Sequence, residues 1–365
     1  MSNNMFCFEK NMASRAVIVT GSNRGIGFAA ATMLAKQGHL AILAVRCPDK
    51  GKEAAAKILQ IAPNAPKPLV VPFDLLNKEE TDKASYQVKL AVGQVDAIIH
   101  NAAVTGTGRD AADSPDEVRR LLKTNYFGTT TGYYSLRPLV KRGGRHVFMA
   151  SRKSLAAQIS FAYLHQTIAH PQLSVIALDA AMETYELAAR TKGNTTLAGW
   201  PACPTTVSKI AVGAFARIAA SEDCTLQMRS MFGLKTQELE QLELRRPGDD
   251  GITANACCPG WCDTEYGRVN IQQFTSPTGK PKTPAEGADT AVWLATSAEV
   301  EGLNGKFFCE RAEVEWAGKY HRKSYEKHYS WMMTERKPRL TDAGFTSVFA
   351  PTSETPARLR SSRRR

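Results

Sequence analysis

Short, almost wholly apolar runs alternate along the chain with longer stretches in which apolar residues recur every three or four positions. The runs are Ala16–Thr20, Leu40–Val45, Leu69–Phe73, Asp96–His100, His146–Ala150, Ile252–Cys258 and Lys306–Cys309. Most are continuous rather than alternating, which predicts strands covered on both faces, as in a parallel sheet. Helical spacing fills the gaps over Gly25–Gln37, Lys50–Ile61 and Pro115–Lys141, among others. Strand and helix in turn predict an α/β chain, a single domain on a doubly wound, mainly parallel sheet of seven strands. Leu155–Gly199 and Glu222–Asp250 break the rhythm. Neither carries strands of its own, so each reads as a helical or loop insertion.

Composition narrows the class. The 365 residues are 43% apolar and 22% charged, which excludes global disorder. No run approaches 18 consecutive apolar residues, so no membrane-spanning helix is expected. The net charge of +12 is concentrated at one end: residues 318–365 hold 12 Lys and Arg against 4 Asp and Glu, leaving +4 for residues 1–317. That extension, with Arg358, Arg360 and Arg363–Arg365, reads as basic and partly disordered. Such charge attracts nucleic acid or anionic lipid, but a solvated tail is the simpler expectation. The eight cysteines, at 7, 47, 203, 224, 257, 258, 262 and 309, form no CxxC pair, so no metal site is expected. Met1–Arg15 lack the features of a secretory signal, and free thiols in a reducing, cytoplasmic compartment are expected. Cys257 and Cys258 end a strand and point to opposite faces, so at most one can reach a cleft.

The strongest local chemistry follows the first strand. Val17–Thr20 runs into Gly21-Ser22-Asn23-Arg24-Gly25-Ile26-Gly27 and then an Ala-rich helix. Gly21 permits a tight turn, Gly25 lets backbone N–H groups approach a pyrophosphate, and Gly27 allows close packing of helix on strand. The helix start adds oriented donors and partial positive charge. At the end of the second strand stands Arg46, where a carboxylate would hold a ribose 2′-hydroxyl and a basic group a 2′-phosphate. With Arg24 it predicts a phosphate clamp, and so NADP(H) rather than NAD(H).

Further motifs follow in order: AVRCPDKGKEAA at 44–56, FDLL at 73–76, HNAA at 100–103, KTNYFGT at 123–129, GWP at 199–201, NACCPGW at 255–261 and EGLNGKFF at 301–308. Together with TGSNRGIG at 20–27 they resemble the short-chain dehydrogenase/reductase family, and within it the NADPH-dependent carbonyl reductases, over residues 14–317. The resemblance implies a Rossmann sheet and a small carbonyl substrate. It also implies roles. Asp74 and Leu75 would contact adenine, and Asn101 with Ala102 the adenine ribose, although His100 and Ala103 replace the usual Asn and Gly. Asn125 would hold a relay water and a helix distortion. Ser151 would bind the substrate carbonyl and Lys209 the nicotinamide ribose. Pro259, Gly260, Trp261 and Thr264, beside Asn23 and Ile26 in the first turn, complete the cofactor set. The insertion at 155–199 implies a monomer and a wall of the substrate cleft, with Phe161, Met182 and Tyr185 as candidate lining or, more simply, as core.

One position departs from the family. Its proton donor is a tyrosine four residues before the lysine, and here Thr205 stands four before Lys209. A phenol of pKa about 10 can be tuned toward neutrality by a nearby ammonium. An aliphatic hydroxyl cannot, and Thr205 is too short to reach the phenol's place. Tyr163 and Tyr185 are conceivable substitutes. Two readings stay open: a slow NADPH-dependent reductase of ketones, aldehydes or quinones, and a catalytically degenerate member that binds NADP(H) as a ligand or sensor.

Overall fold

The computed structural model describes residues 14–106, 114–192, 195–221, 251–269 and 280–318. The Glu222–Asp250 insertion, the basic extension beyond 318, Cys7 and Cys224 lie outside the described residues.

Among the described residues, one sheet has eight strands, the first seven at the apolar runs: β1 Ala16–Thr20, β2 Leu40–Val45, β3 Leu69–Pro72, β4 Val95–His100, β5 Val140–Met149, β6 Thr253–Cys258, β7 Phe307–Cys309 and β8 Ala312–Glu313. Their spatial order is β3-β2-β1-β4-β5-β6-β7-β8. Every pair is parallel except β7 with β8. The eighth strand adds to the expected seven. It arises from a tight turn in which Glu310 and Arg311 both adopt positive φ, 53° and 62°, the backbone a two-residue hairpin needs. No apolar run announces it.

Helices cover both faces. α1 (Gly25–Lys36), α2 (Pro48–Ile61) and α10 (Pro284–Thr296) share a buried cluster with Val17 and Val19 of β1. Ile18, between them, faces a second cluster with Ala84 and Val88 of α3 (Lys78–Val92). That alternation on a wholly apolar strand is the reason neither face could be polar. The expected long helix over Pro115–Lys141 is divided. α4 (Pro115–Leu122) passes through a π-helical turn at Lys123–Phe127 into α5 (Gly128–Leu136). Asn125 sits inside that turn.

The Leu155–Gly199 stretch folds into α6 (Ala162–Ala169), α7 (Val175–Lys192) and short 3₁₀ turns. On α7 the residues Val175, Leu178, Met182, Tyr185 and Ala189 recur at helical spacing and are buried with Trp200 and with α8 (Pro204–Ala219). Met182 and Tyr185 are therefore core, whereas Phe161 and Tyr163 are exposed. α9 (Glu265–Val269) follows β6. Among the described residues, no helix is long and apolar enough to cross a membrane.

Candidate active site

The strand order reverses at β1, since β2 and β4 flank it while the chain continues outward on either side. Such a switch point leaves a crevice at the carboxyl ends of the strands. Here it is a cleft of about 1120 Å³. Into it converge the turn after β1, the ends of β2, β4 and β5, the start of α8, and the segment after β6. Gly21, Asn23, Arg24, Gly25, Ile26, Gly27, Arg46, Asp74, Leu75, Asn101 and Ala102 line it. So do Ser151, Thr205, Lys209, Pro259, Gly260, Trp261 and Thr264, the last of them beside Gly25. Of the expected catalytic and cofactor-binding residues Asn125 alone does not line it, and no described residue of the 155–199 insertion does, so Phe161, Met182 and Tyr185 are not lining groups.

The turn is built by mutual contact. Gly21 and Gly25 hold φ of +66° and +57°, values costly for side-chain-bearing residues. Thr20 Oγ1 accepts from the backbone N–H groups of both Asn101 and Ala102, at 2.9 Å each. Asn101 Nδ2 donates back to the Thr20 carbonyl at 2.9 Å. These bonds tie β1 to the end of β4. At Gly27 a Cβ would lie 2.4 Å from the Gly21 carbonyl oxygen and 2.5 Å from Asn101 Nδ2. Both atoms are held by this network and cannot yield. Gly27→Ala is accordingly expected to destabilise the protein by about 1–3 kcal/mol through overpacking. A urea-unfolding midpoint equal to that of the unmodified protein would contradict the close packing.

The N-terminus of α1 carries no side-chain cap and no acidic residue in its first turn. Its N–H groups and positive end therefore remain for an anion in the cleft. Arg24 is paired with the Glu265 carboxylate of α9, in an exposed bridge between two residues that line the cleft. The expected clamp thus has one guanidinium already engaged. Lys50 and Lys57 of α2, with Glu53 between them, also line the cleft and leave α2's contribution net positive, which the end-of-strand rule did not reveal.

At the other end, Lys209 is nearly enclosed and its Nζ donates to the Met149 carbonyl at 2.6 Å. Burial lowers its pKa to about 8, against smaller opposing effects of the Cys257 and Cys258 thiols. Ser151 Oγ accepts from the Lys153 backbone N–H at 3.2 Å, so its own proton can be given to an oxygen in the cleft. Thr205 Oγ1 accepts from the Gly106 N–H at 3.3 Å. Asn125 is fully buried. Its Oδ1 accepts from Val104 N, and its Nδ2 donates to the Val104 carbonyl and to Ser208 Oγ. The amide braces the π-helical turn against the loop after β4 and the helix of Lys209; it is a positioning residue here.

Tyr163 is 80% exposed and Tyr185 is buried in the core, so neither phenol reaches the cleft. Among the lining groups unrecognised in the sequence is Tyr266 of α9, its phenol pushed well above its ordinary pKa by burial. Another is Lys153, whose ammonium is made less basic by burial. Neither lies in a motif, and only the folding of α9 and of the turn after Ser151 brings them to the cleft.

The profile of the short chain dehydrogenase family matches residues 15–163. Over 311 residues the chain is 30% identical to carbonyl reductase (NADPH) 1 of Macaca fascicularis, covering 83% of this chain and 98% of that one. The Bos taurus protein of the same name is 27% identical over 308 residues, covering 82% and 97%. Among solved structures, salutaridine reductase from Papaver somniferum superposes with a TM-score of 0.63 at 20% identity, over 80% of this chain and 99% of that one. With the glycine turn, the switch-point cleft and near full-length similarity to a carbonyl reductase in agreement, this chain belongs to the short-chain dehydrogenase/reductase family of oxidoreductases.

Proposed function

We propose that the protein binds NADP(H) and reduces a small ketone, aldehyde or quinone, slowly because Thr205 occupies the place of the proton donor. The observation that carries this reading is the single cleft holding both sets of residues, a phosphate-binding turn at one end and Ser151 with Lys209 at the other. The residues suit the cofactor. Positive-φ glycines, an uncapped helix start and cationic Arg46, Lys50 and Lys57 provide for phosphates, and Asp74 with Leu75 walls the adenine end. The curated relatives carry NADPH in their names.

A reduced nicotinamide, when bound, supplies the hydride. Ser151 offers its hydroxyl proton to the carbonyl oxygen, on which negative charge grows. Lys209 has two donors left after Met149, and its ammonium adds positive field in a region shielded from water. Thr205 supplies a hydrogen bond but no acid of useful strength.

The cofactor preference has a direct test. Titrated calorimetrically, NADPH is expected to bind the unmodified protein more tightly than NADH, and Arg46→Asp to weaken NADPH roughly 10–100-fold while sparing NADH, the scale of a charge-assisted pair. Equal loss for both nucleotides would remove the phosphate contact. Absence of heat with either would remove the cofactor reading altogether. The non-catalytic alternative, a degenerate binder, rests on Thr205 and is separated by turnover, as set out below.

A further inference from the structure

Cys258 ends β6 and Cys309 ends β7, and the parallel register sets their Cα atoms directly opposite each other. Neighbouring strands run about 4.8 Å apart. A disulfide needs Cα atoms about 4.4–6.8 Å apart, so the backbone already stands within bonding range. The two thiols share a hydrogen bond. They are free cysteines, Cys258 buried and Cys309 partly exposed. Cys257, next in sequence, faces the opposite side of the sheet, in the cluster with α1 and α10.

The surroundings of Cys258 suit a sulfur anion. Its Sγ accepts from the Gly260 backbone N–H at 3.2 Å and from the Arg152 backbone N–H. The Lys282 ammonium adds an attractive charge. These groups, with the Cys309 thiol the largest of them, outweigh burial and hold the Cys258 thiol below its ordinary pKa, while Cys309 is pushed up. Cys262, in the same turn, is raised to about 12 by burial and donates to the Pro259 carbonyl. One thiol of the cluster is therefore activated, and a second lies beside it.

We propose that Cys258 and Cys309 form a dithiol modification site, closed to a disulfide by a hydroperoxide and reopened by a thiol reductant, and that closure releases the turn at Gly260. The Cys258 thiolate attacks the outer peroxide oxygen. The O–O bond breaks, and the departing alkoxide or hydroxide takes a proton from water. Cys258 is then a sulfenic acid. Cys309 loses its proton as its sulfur attacks that of Cys258, and hydroxide leaves to form water with the proton. Two thiols are oxidised by two electrons, and the peroxide is reduced to an alcohol, or to water in the case of hydrogen peroxide, with a further water. Cys258 Sγ, now bonded to Cys309, can no longer serve as a full acceptor for the Gly260 and Arg152 N–H groups. The Gly260 bond braces the turn after β6, which lines the cleft, so its weakening on oxidation loosens that rim.

The test uses the full chain, without cofactor, treated with a few equivalents of hydrogen peroxide. Non-reducing peptide mapping is expected to join the Cys258 and Cys309 peptides with a loss of about 2 Da, restored by dithiothreitol through thiol–disulfide exchange. Hydrogen exchange at the Gly260 amide should rise about tenfold on oxidation, the loss of one hydrogen bond. Cys309→Ser should abolish the cross-link and leave Cys258 to progress to sulfinic acid. A bond from Cys258 to Cys257 or Cys262, or overoxidation with no cross-link in the unmodified protein, would overturn the pairing. A mapped Cys258–Cys309 bond with unchanged Gly260 exchange would overturn the release of the turn. Both readouts stand whether or not the protein turns over a carbonyl.

Discussion

Thr205→Tyr is expected to raise the rate of NADPH-dependent carbonyl reduction by about 10²–10⁴-fold, equivalent to roughly 3–5 kcal/mol of barrier. Everything else that a phenol needs is present. Position 205 lines the cleft at the first turn of α8, and Lys209 stands one helical turn further along the same face. The ammonium of Lys209, with a pKa near 8, would favour the phenolate and so bring the introduced phenol toward neutrality. The hydroxyl of Ser151 is in the same cleft to share the developing charge. Tyr266 also lines the cleft, but burial makes its phenol a weaker acid than a tyrosine beside Lys209 would be. The gain should shrink as pH rises past about 8, where Lys209 loses its proton and its field. Steady-state NADPH oxidation with an isatin or a quinone, for both proteins across pH 6–9, measures this. Measurable turnover by the unmodified protein removes the ligand-sensor alternative. Identical rates in the two proteins, with NADPH binding intact, would show that position 205 does not govern proton transfer.

Acid is expected to destabilise this fold early, through His100 and His146. The two rings lie on adjacent strands, β4 and β5, with His100 Nε2 3.0 Å from His146 Nδ1. His100 also stacks on Phe148 at 4.5 Å. One ring nitrogen must donate and the other accept, so the bond fails once both rings are protonated, and burial disfavours a charge on either ring. Burial alone lowers His100 to about 3, and His146 is held well below its ordinary value by burial and by His100 itself. Both folded pKa values are depressed, so the unfolded chain binds more protons below pH 6.5. Stability is fully present above that pH and declines as pH falls toward 3. Each histidine contributes a slope of up to about 1.4 kcal/mol per pH unit, against a typical total of about 5–15 kcal/mol. Urea midpoints between pH 7.5 and 4.5 measure the slope. His100→Asn should remove about half of the two-histidine contribution. A slope unchanged by that substitution would place the acid sensitivity elsewhere.

Local chemistry was legible in the sequence, whereas contacts between distant segments were not. The turn from Thr20 to Gly27 could be read directly because its function depends on backbone conformation at glycines four and two residues apart. The continuous apolar runs located seven strands because burial on both faces leaves no polar positions. β8 escaped notice because a positive-φ pair at Glu310 and Arg311, neither of them glycine, made its turn. The interruption of the helical stretch over 115–141 was legible through the resemblance, which implied a helix distortion at Asn125, but not from periodicity, since its amide bonds across the fold to Val104 and Ser208. His100 was recognised as a departure from the family's asparagine, but its partner 46 residues on was not. Lys153 and Tyr266 reach the cleft only through tertiary folding.

The bridge between Arg24 and Glu265 gives the nucleotide end an inbuilt competitor. Both side chains are largely exposed, and a pair of that kind contributes only about 0–1 kcal/mol. A weakly held carboxylate thus occupies the guanidinium, and under the NADP(H) reading proposed above a 2′-phosphate dianion is expected to displace it whereas a neutral ribose hydroxyl is not. That exchange is expected to fade with added salt, which screens intruder and incumbent alike.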